Sequence, residues 1–235
     1  MRLGLQDRLF VLTGAGISAE SGLATFRGSG GLWNGFRVEV VAAPEGWQAD
    51  PALVWRFYSQ RRQEALLAQP NAAHRALVAL EEQLAERFFL CTQNVDDLHE
   101  RAGSGSFGGR VLHMHGSLFA SRCERCNVPF ADVESYTAQL PCCRGCGGAV
   151  RPHIVWFGEV PLELERIYAE LAAATHMLVV GTSGSVYPAA GLVRVARNQG
   201  TRTVYVGPEE PLNADQFDEI LLGTACSVLP TLARM

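Results

Sequence analysis

The chain has 235 residues, enough for one large domain or for a domain with a smaller one inserted. It is 48% hydrophobic and 19% charged, which allows a sizeable core and excludes a disordered chain. The formal net charge is -4 and there is no basic tail, so nucleic acid is not an expected partner. No apolar run is long enough to span a membrane, and no signal or transit peptide precedes the first predicted strand, so we expect a cytoplasmic protein.

The first predicted element is a buried strand over residues 8–13, followed directly by Gly14-Ala15-Gly16-Ile17-Ser18-Ala19. The spacing G-x-G-x-x-A between a strand and a helix favours nucleotide binding over a plain tight turn. Small residues let the backbone approach a pyrophosphate, and the N–H groups at the start of a helix bind its charge. We therefore expect a helix directly after this loop, ending near residue 27.

An irregular segment rich in glycine and tryptophan is predicted over residues 28–48, and two helices follow it. Asp50 as N-cap and Pro51 at the first helical position begin a helix that runs to about Leu67. Asn71 caps the next helix, in which leucines repeat at helical spacing.

Polar residues follow two further predicted strands. The apolar run at 87–91 is followed by Thr92-Gln93-Asn94-Val95-Asp96-Asp97-Leu98-His99, and the run at 177–180 by Gly181-Thr182-Ser183-Gly184-Ser185. Taken singly, the first segment fits a polar turn with a helix cap as well as it fits a ligand site, and the second is better explained as a Gly/Ser loop. Ligands of open parallel sheets bind at the carboxyl ends of the strands. Three such strand ends predict a crevice for a large polar ligand.

The remaining predicted elements are strands over 111–115, 154–157 and 203–206, a helix from Pro161, a helix ending near Gly200 and a last helix over 213–222. Strands alternating with helices predict an α/β fold with a Rossmann-like, doubly wound parallel sheet. A cysteine-rich segment interrupts it, so we expect a smaller zinc-binding domain with a helical insertion. The main domain is predicted over 1–32, 70–118 and 150–235, and the small domain over 33–69 and 119–149.

Seven cysteines are present, and five of them cluster. The pairs Cys123-x-x-Cys126 and Cys143-x-x-Cys146 match a four-thiolate zinc site, and a reducing cytoplasm disfavours the alternative of disulfides. Cys142 is the extra thiol of the cluster, and it could replace Cys143 as a ligand only with a looser turn. Four protein thiolates leave the metal no open position, so we expect a structural zinc ion. Cys91 and Cys226 lie in apolar or small-residue settings and are expected to be inert core thiols.

Seven motifs of the chain belong together: Gly14-Ala15-Gly16-Ile17-Ser18, Thr25-Phe26-Arg27-Gly28, Thr92-Gln93-Asn94-Val95-Asp96, His115-Gly116-Ser117, both C-x-x-C pairs, Val155-Trp156-Phe157-Gly158-Glu159 and Gly181-Thr182-Ser183. They resemble the motifs of the sirtuin family, the NAD-dependent protein-lysine deacylases. The resemblance covers nearly the whole chain.

The resemblance implies that NAD is consumed as a co-substrate. In the family, the acyl oxygen of the modified lysine attacks the nicotinamide ribose, nicotinamide leaves, and O-acyl-ADP-ribose is released. The resemblance implies that His115 is the general base, a role that suits histidine because its pKa lies near working pH. Asn94 and Asp96 are implied in catalysis at the nicotinamide pocket, Gln93 at the ribose, and Phe26 as the screen over the reactive carbon.

The other cofactor-binding residues that the resemblance implies are Gly14, Ala15, Gly16, Ser18, Glu20, Thr25, Arg27, Val95, Gly181, Thr182, Ser183, Gly207 and Cys226. Gly207 departs from the family pattern, since many members have Asn there, and Ala24 stands where Pro is usual. The substrate protein or peptide is implied to bind as an added strand along Val155, Phe157, Gly158 and Glu159. His113 is expected to be structural, as are His74, His99, His153 and His176.

A narrower match is Tyr58-Ser59-Gln60-Arg61, which resembles the bacterial desuccinylase and demalonylase subgroup, class III. The two side chains share one helix face, and a guanidinium fork can bind an acyl carboxylate with two hydrogen bonds. The alternative is a solvated arginine beside a half-buried tyrosine. We expect action on succinyl- and malonyl-type groups and on acetyl. The alternatives are a plain deacetylase and a protein ADP-ribosyltransferase.

Two hypotheses outside the family are alternatives to the deacylase. A Rossmann dehydrogenase needs an acidic residue about twenty positions after the glycine motif, and Glu39 is poorly placed for that role. A zinc-ribbon binding module with a nucleotide-sensing domain needs neither His115 nor the pair Asn94 and Asp96. No long apolar surface stripe is evident, so we expect a monomer.

Overall fold

The computed structural model describes residues 3–4, 6–25, 32–33, 35–107 and 110–233. The elements of its first half are β1 (Leu9–Thr13), two 3-10 turns (Ala15–Ile17 and Ala19–Ser21), β2 (Leu32–Trp33), β3 (Phe36–Arg37), α1 (Val38–Val41), α2 (Pro44–Ala49), α3 (Pro51–Leu67), α4 (Ala72–Leu84), a 3-10 turn (Ala85–Arg87), β4 (Phe88–Thr92) and α5 (Leu98–Ala102).

The second half of the described chain begins at β5, an edge strand of the main sheet. Its elements are β5 (Arg110–His113), β6 (Gly116–Cys123), β7 (Pro129–Ala131), β8 (Val150–Ile154), α6 (Leu164–Ala172), β9 (His176–Val180), α7 (Ala189–Asn198), β10 (Arg202–Gly207), a 3-10 turn (Ala214–Gln216), β11 (Glu219–Leu222) and α8 (Ala225–Leu232). Within the described ranges, no helix is long and apolar enough to cross a membrane.

Six strands form one parallel sheet in the order β11, β10, β9, β1, β4, β5. Leu9 of β1 pairs with Phe88 of β4 on one side and with His176 of β9 on the other. Helices α4 and α8 contribute to the apolar cluster on one face, and α6 and α7 to the cluster on the opposite face. The predicted Rossmann-like, doubly wound sheet is therefore confirmed, and the strand order reverses between β1 and β9.

Both predicted helix caps are present. The Asp50 side chain accepts a hydrogen bond from Leu53 N at 2.9 Å, so α3 begins at Pro51 and ends at Leu67 as expected. Asn71 caps α4 by accepting hydrogen bonds from Ala73 N and His74 N. These caps satisfy N–H groups that the first turn of a helix leaves without intrahelical partners.

The glycine loop is not followed by the predicted helix. Two short 3-10 turns occupy Ala15–Ile17 and Ala19–Ser21, and Gly22 then adopts a left-handed conformation with φ of 87°. Such a residue ends a helical turn, because the chain leaves the helical path there. The loop therefore offers the N–H groups of a tight turn, without the dipole of a long helix.

Other predicted elements also differ from the structure. The segment predicted to be irregular over 28–48 contains β2, β3, α1 and most of α2, and the helix predicted from Pro161 begins at Leu164. The strand expected over 154–157 lies over Val150–Ile154, because Trp156 and Glu159 close a turn: Trp156 N donates to Glu159 Oε2 at 2.8 Å, and Glu159 N donates to Trp156 O at 3.0 Å. The helix expected over 213–222 is a 3-10 turn followed by β11, which pairs with β10 at the sheet edge. The last helix begins later, at Ala225, with Thr224 as its N-cap.

A second, antiparallel sheet is made of β7, β6 and β8. Helix α3 packs against it through a separate apolar cluster that includes Trp55, Tyr58 and Trp156. Buried hydrogen bonds fix this contact: Trp55 Nε1 donates to Val150 O at 3.0 Å, and Arg62 Nε donates to Leu118 O at 2.6 Å. The helix that carries Tyr58 and Arg61 is therefore held by the sheet next to the cysteine-rich segment.

Candidate active site

A cleft opens at the carboxyl ends of β1, β4 and β9, where two glycine loops meet. Gly14 N donates to Val180 O at 3.0 Å, and Gly16 N donates to Gly181 O at 2.9 Å. A Cβ atom added to Gly16 would lie 2.7 Å from Gly181 Cα, and Gly181 has φ of 64°. These glycines are thus required by the contact between the loops, a reason that the motif spacing did not reveal.

Most of the residues predicted for the site line this one cleft. They are Gly14, Ala15, Gly16, Ser18, Thr25, Tyr58, Arg61, Gln93, Asn94, Val95, Asp96, His115, Val155, Phe157, Gly158, Glu159, Gly181, Thr182 and Ser183. Glu20, Gly207 and Cys226 are not part of its lining. Phe26 and Arg27 lie outside the described residues.

His115 follows β5 and presents one ring nitrogen to the cleft. Its Nδ1 lies 3.2 Å from Gln93 O, and because a carbonyl oxygen only accepts, Nδ1 carries the proton. Burial lowers the pKa of His115, which the hydrogen bond to Gln93 opposes. The ring is therefore neutral near pH 7 with a lone pair on Nε2, as a general base requires.

Asn94, Asp96 and Ser18 form a buried hydrogen-bonded group. Asn94 Nδ2 donates to Ser18 Oγ at 3.1 Å, and Ser18 Oγ donates to Asp96 Oδ2 at 3.1 Å. Leu98 N donates to Asp96 Oδ1 at 3.1 Å. Burial raises the pKa of Asp96, although these hydrogen bonds oppose the shift. The group ties the loop after β1 to the loop after β4 and aims a carboxylate at the cleft.

Gln93 shows that the cleft fits a polar ligand such as NAD. Its side-chain Nε2 is buried and has no hydrogen-bond partner among the described residues. A buried donor left without a partner costs about 1–3 kcal/mol. A ribose hydroxyl or similar acceptor would remove that cost, so the chemistry of this wall suits a nucleotide cofactor.

Tyr58 and Arg61 form the opposite wall. Tyr58 OH accepts a hydrogen bond from Trp156 Nε1 at 3.0 Å, and burial raises the pKa of Tyr58. Arg61 is only 6% exposed, its Nη1 lies 3.3 Å from Glu64 Oε2, and its Nε has no partner among the described residues. The alternative of a solvated arginine is therefore wrong.

The segment predicted to bind a substrate strand is partly engaged already. Val155 N donates to His115 O, and Phe157 N donates to Ala42 O, both at 2.9 Å. The Glu159 side chain binds Arg122 at 3.0 Å and Arg151 at 2.7 Å. The groups of this segment that are left for the predicted strand are Gly158 N, which has no backbone acceptor in the described part of the chain, and backbone carbonyls other than that of Trp156, which accepts from Glu159 N.

Glu20, Gly207 and Cys226 lie near the start of α8. Cys226 N donates to Glu20 Oε2 at 3.3 Å, and Gly223 N donates to Gly207 O at 2.9 Å. A Cβ atom on Gly207 would collide with the Tyr205 hydroxyl, which donates to Thr182 O at 3.2 Å. This contact explains why glycine stands at position 207.

The two isolated cysteines differ from each other. Cys91 is fully buried and burial raises its thiol pKa, which confirms the expected core thiol. Cys226 is partly exposed, lies beside Glu20 and packs at the edge of the apolar cluster, and burial raises its thiol pKa, so it fits the expected unreactive thiol but is not fully buried in the core.

Sequence reasoning missed several apolar residues of the cleft. The side chains without a predicted role that line it include Trp33, Leu118, Trp156, Val186 and Tyr187. Trp33 lies in the segment that was predicted to be irregular, where no periodic pattern points to a function. Trp156 lies inside the motif Val155–Glu159, and this position was the only indication in the sequence that it belongs to the site.

The candidate metal centre consists of Cys123, Cys126, Cys143 and Cys146. Their sulfur atoms all lie within 4.8 Å of one another, with 3.4 Å between Cys123 and Cys146 and 3.8 Å between Cys126 and Cys143. Sulfurs at ~2.3 Å from a tetrahedral zinc ion are about 3.8 Å apart. Cys142 is exposed and outside the group, so these four thiols suit a structural zinc ion.

Comparison with known proteins agrees with this geometry. The family profile described as Sir2 family matches residues 14–188. The chain belongs to the Sir2 family. That match includes both glycine loops, His115 and all four clustered cysteines. The predicted sirtuin membership, its enzyme class and its use of NAD are therefore confirmed.

Curated relatives cover almost the whole chain. A protein of Caulobacter vibrioides named NAD-dependent protein deacylase is 50% identical over 228 residues, 95% of this chain and 94% of its own length. The NAD-dependent protein deacylase SIR2rp3 of Leishmania major is 47% identical, over 94% of this chain and 92% of its own. The NAD-dependent protein deacylase of Escherichia coli K12 is 46% identical, over 96% and 80%.

Solved structures superpose closely as well. A Sir2 homologue in complex with NAD has a TM-score of 0.87 and 42% identity, covering 96% of this chain and 88% of that one. A complex described as Sir2, p53 peptide and NAD+ has a TM-score of 0.82 and 29% identity, covering 97% and 92%.

Proposed function

We propose that this Sir2-family enzyme removes acyl groups from protein lysine side chains, with a preference for acidic groups such as succinyl and malonyl and with retained action on acetyl. The observation that carries the proposal is the buried Arg61 beside Tyr58 in the cleft. The relatives' names support the deacylase reaction without naming the acyl group.

Arg61 is a cation that lacks a full set of partners. Glu64 lies 3.3 Å from Nη1, but its side chain is 36% exposed, so solvent weakens that ion pair. Ala24 O accepts from Nη2 at 3.4 Å, a long hydrogen bond. Burial lowers the pKa of Arg61, which reflects the cost of keeping this charge out of water. A carboxylate at the end of an acyl chain would offset that cost, whereas an acetyl group would not.

Tyr58 supplies a second donor on the same helix face. Because its oxygen accepts from Trp156 Nε1, its own proton is directed elsewhere. Trp156 is in turn covered by Arg151, whose Cζ lies 3.2 Å from the centre of the indole ring. A phenol and a guanidinium held in this way would bind the two oxygens of a succinyl or malonyl carboxylate.

NAD, when bound, supplies an electrophilic ribose carbon and the nicotinamide leaving group. His115 would accept a ribose hydroxyl proton at Nε2, the nitrogen that Gln93 O leaves free. Asp96 and Asn94 would hold the nicotinamide carboxamide. Gln93 would bind the ribose with its unpartnered Nε2. The other residues that would hold the cofactor are Gly14, Ala15, Gly16, Ser18, Glu20, Thr25, Phe26, Arg27, Val95, Gly181, Thr182, Ser183, Gly207 and Cys226.

The protein substrate would lie along Val155–Glu159 as an added strand, bound through carbonyl oxygens and Gly158 N. The domain boundaries, the monomeric state and the cytoplasmic location stay predictions.

The zinc ion has its own test: freshly purified protein should contain one zinc ion per chain, and a clearly lower content would contradict the proposal.

The test of acyl preference uses one peptide with acetyl-lysine or succinyl-lysine. The chain contains no lysine, so its own side chains add no acyl-lysine background. Arg61→Met should lower kcat/KM for the succinyl peptide about 10- to 100-fold, the value of one or two hydrogen bonds to a charged group, and retain acetyl removal. Arg56→Met, an exposed position on the same helix, is the matched control.

The outcomes separate the alternatives. Acetyl removal alone, unchanged in Arg61→Met, would make the enzyme a plain deacetylase and Arg61 a structural residue. Nicotinamide release without deacylation of either peptide would indicate ADP-ribosyl transfer, which shares the first step.

A further inference from the structure

His113 joins the loop that follows β4 to α5, the helix that follows this loop. It lies at the end of β5, two residues before His115. Its Nδ1 is 2.9 Å from Asn94 O, and its Nε2 is 2.7 Å from Glu100 Oε1. Asn94 begins the loop that contains Asp96, and Glu100 lies in α5 directly after that loop. One imidazole ring therefore contacts the start of the loop and the helix that follows it.

Both partners of His113 are hydrogen-bond acceptors. A backbone carbonyl never donates, and an ionised carboxylate has no proton to give. The hydrogen bond and charge of His113 lower the pKa of Glu100, although its burial opposes the shift. The carboxylate is therefore ionised near neutral pH. Two contacts to two acceptors require a proton on each ring nitrogen, so the ring is an imidazolium.

The neighbouring charges favour this form. Burial acts against the charged ring, but the hydrogen bond and charge of Glu100 outweigh it and, together with Asn94 O and Asp96, raise the pKa of His113. On α5, His99 is fully buried, and burial keeps its pKa low. Asp97 and Arg101 of that region pair with each other at 3.6 Å. His115, two residues further along the chain, is neutral because burial lowers its pKa.

We propose that His113 is a positioning residue whose imidazolium form holds the Asn94–Asp97 loop in the shape that binds the nicotinamide end of NAD. Loss of the proton at alkaline pH leaves one nitrogen without a hydrogen to donate, so one of the two contacts breaks and the loop loosens. The inference rests on the proposed placement of nicotinamide beside Asn94 and Asp96. It gives a function to a histidine that the sequence indicated only as structural.

The test is NAD affinity by calorimetry between about pH 6 and pH 9.5, where an imidazolium is lost. His113→Gln should weaken NAD binding about five- to tenfold at pH 7. This is the value of one hydrogen bond between charged groups, reduced because solvent reaches the partly exposed Glu100. Wild type should lose affinity at alkaline pH, and Glu100→Gln should shift that loss to lower pH. In deacylation, His113→Gln should raise KM for NAD more than it lowers kcat.

The matched control is His176→Gln. His176 lies 3.7 Å from Asp7, so it too pairs with a carboxylate, but at the opposite end of the sheet. Its replacement should leave NAD affinity unchanged at each pH. The His113 resonance in wild-type protein, followed by NMR and assigned by its absence in His113→Gln, reports the pKa directly.

Three results would overturn the inference: an NMR pKa of His113 below about 6.5, an unchanged pH dependence in Glu100→Gln, or unchanged affinity in a folded His113→Gln. If His113→Gln does not fold, Glu100→Gln and selective isotope labelling of the wild type decide the matter. Asp96→Asn separates this failure from a wrong nicotinamide placement. If Asp96→Asn also leaves NAD affinity unchanged, the placement itself is wrong.

Discussion

The wall of the cleft that carries His115, Asn94 and Asp96 comes from the carboxyl ends of parallel strands, whereas the wall that carries Tyr58, Arg61 and Trp156 comes from α3 and the turn after β8. We refer to these as the cofactor wall and the acyl wall. The cofactor wall is held by hydrogen bonds between neighbouring loops, such as Gly16 N to Gly181 O. The acyl wall is held by packing between residues about a hundred positions apart, such as Tyr58 and Trp156.

This difference suggests that the two walls have separate functions. The cofactor wall would serve every acyl substrate, because the chemistry at NAD is shared. The acyl wall would decide which acyl group is preferred, because the donors that we propose for the acyl carboxylate would contact only the far end of that group. Changes in the first wall should therefore reduce all activities alike, and changes in the second should alter their ratio.

The largest effect is expected from His115→Ala. Loss of a general base costs about 10²- to 10⁴-fold in kcat. Removal of acetyl and succinyl should fall by the same factor, as measured with both peptides at saturating NAD. Circular dichroism should show that the variant remains folded. A much larger loss for one peptide than for the other would contradict the division between the walls.

Acid should weaken the support beneath the cofactor wall. His74 and His99 are buried in edge-to-face contact, and His99 Nε2 lies 3.0 Å from Thr13 Oγ1 at the end of β1. Burial lowers the pKa of His74 from 6.5 to about 4. The unfolded chain therefore binds a proton that folded His74 does not, so the stability from this group is complete above about pH 6.5 and is lost as the pH falls towards 4.

A difference of about 2.5 in pKa corresponds to about 3 kcal/mol. Denaturant unfolding at several pH values between these limits measures the loss. His74→Gln should flatten this part of the pH dependence more than His176→Gln, because Asp7 opposes the effect of burial on the pKa of His176. An equally steep profile in His74→Gln would show that other groups are responsible.

Tyr58→Phe should change the ratio of the two activities. The variant lacks the hydroxyl proton that we propose for the acyl carboxylate. Succinyl removal should fall about tenfold in kcat/KM, the value of one hydrogen bond to a charged group. Acetyl removal should change little. Equal losses for both peptides would mean that Tyr58 supports the cleft as a whole.

The smallest effect is expected from Trp156→Phe. Phenylalanine keeps an aromatic ring between Trp47 and Arg151 but removes the indole N–H that orients the Tyr58 hydroxyl. Loss of one neutral hydrogen bond predicts about a threefold decrease in succinyl removal. In a Tyr58→Phe background the same change should have no further effect, which a double-mutant cycle measures. Full additivity would show that Trp156 acts independently of Tyr58.

Local signals in the sequence predicted much of the fold. Asp50 with Pro51, and Asn71, place the starts of α3 and α4, because a cap satisfies the same backbone groups in any context. The apolar runs before Thr92 and Gly181 predict buried strands correctly. Short apolar runs were ambiguous elsewhere: Glu219–Leu222 is a strand because β10 leaves an open edge beside it, which no local pattern reveals.

The sequence by itself determined the family, the two glycine loops, His115 and the four clustered cysteines, because each is a short motif with a local chemical reason. Only the tertiary structure decided which buried polar atoms, such as Arg61 Nε and Gln93 Nε2, have no hydrogen-bond partner among the described residues. Arg61 and Gln93 lie within a cleft whose walls come from distant segments, and Trp156 reaches Tyr58 across 98 positions in the chain. Protonation was decided there too: His113 and His115 share one short motif, but Glu100 faces only His113, so one ring is charged while the other stays neutral.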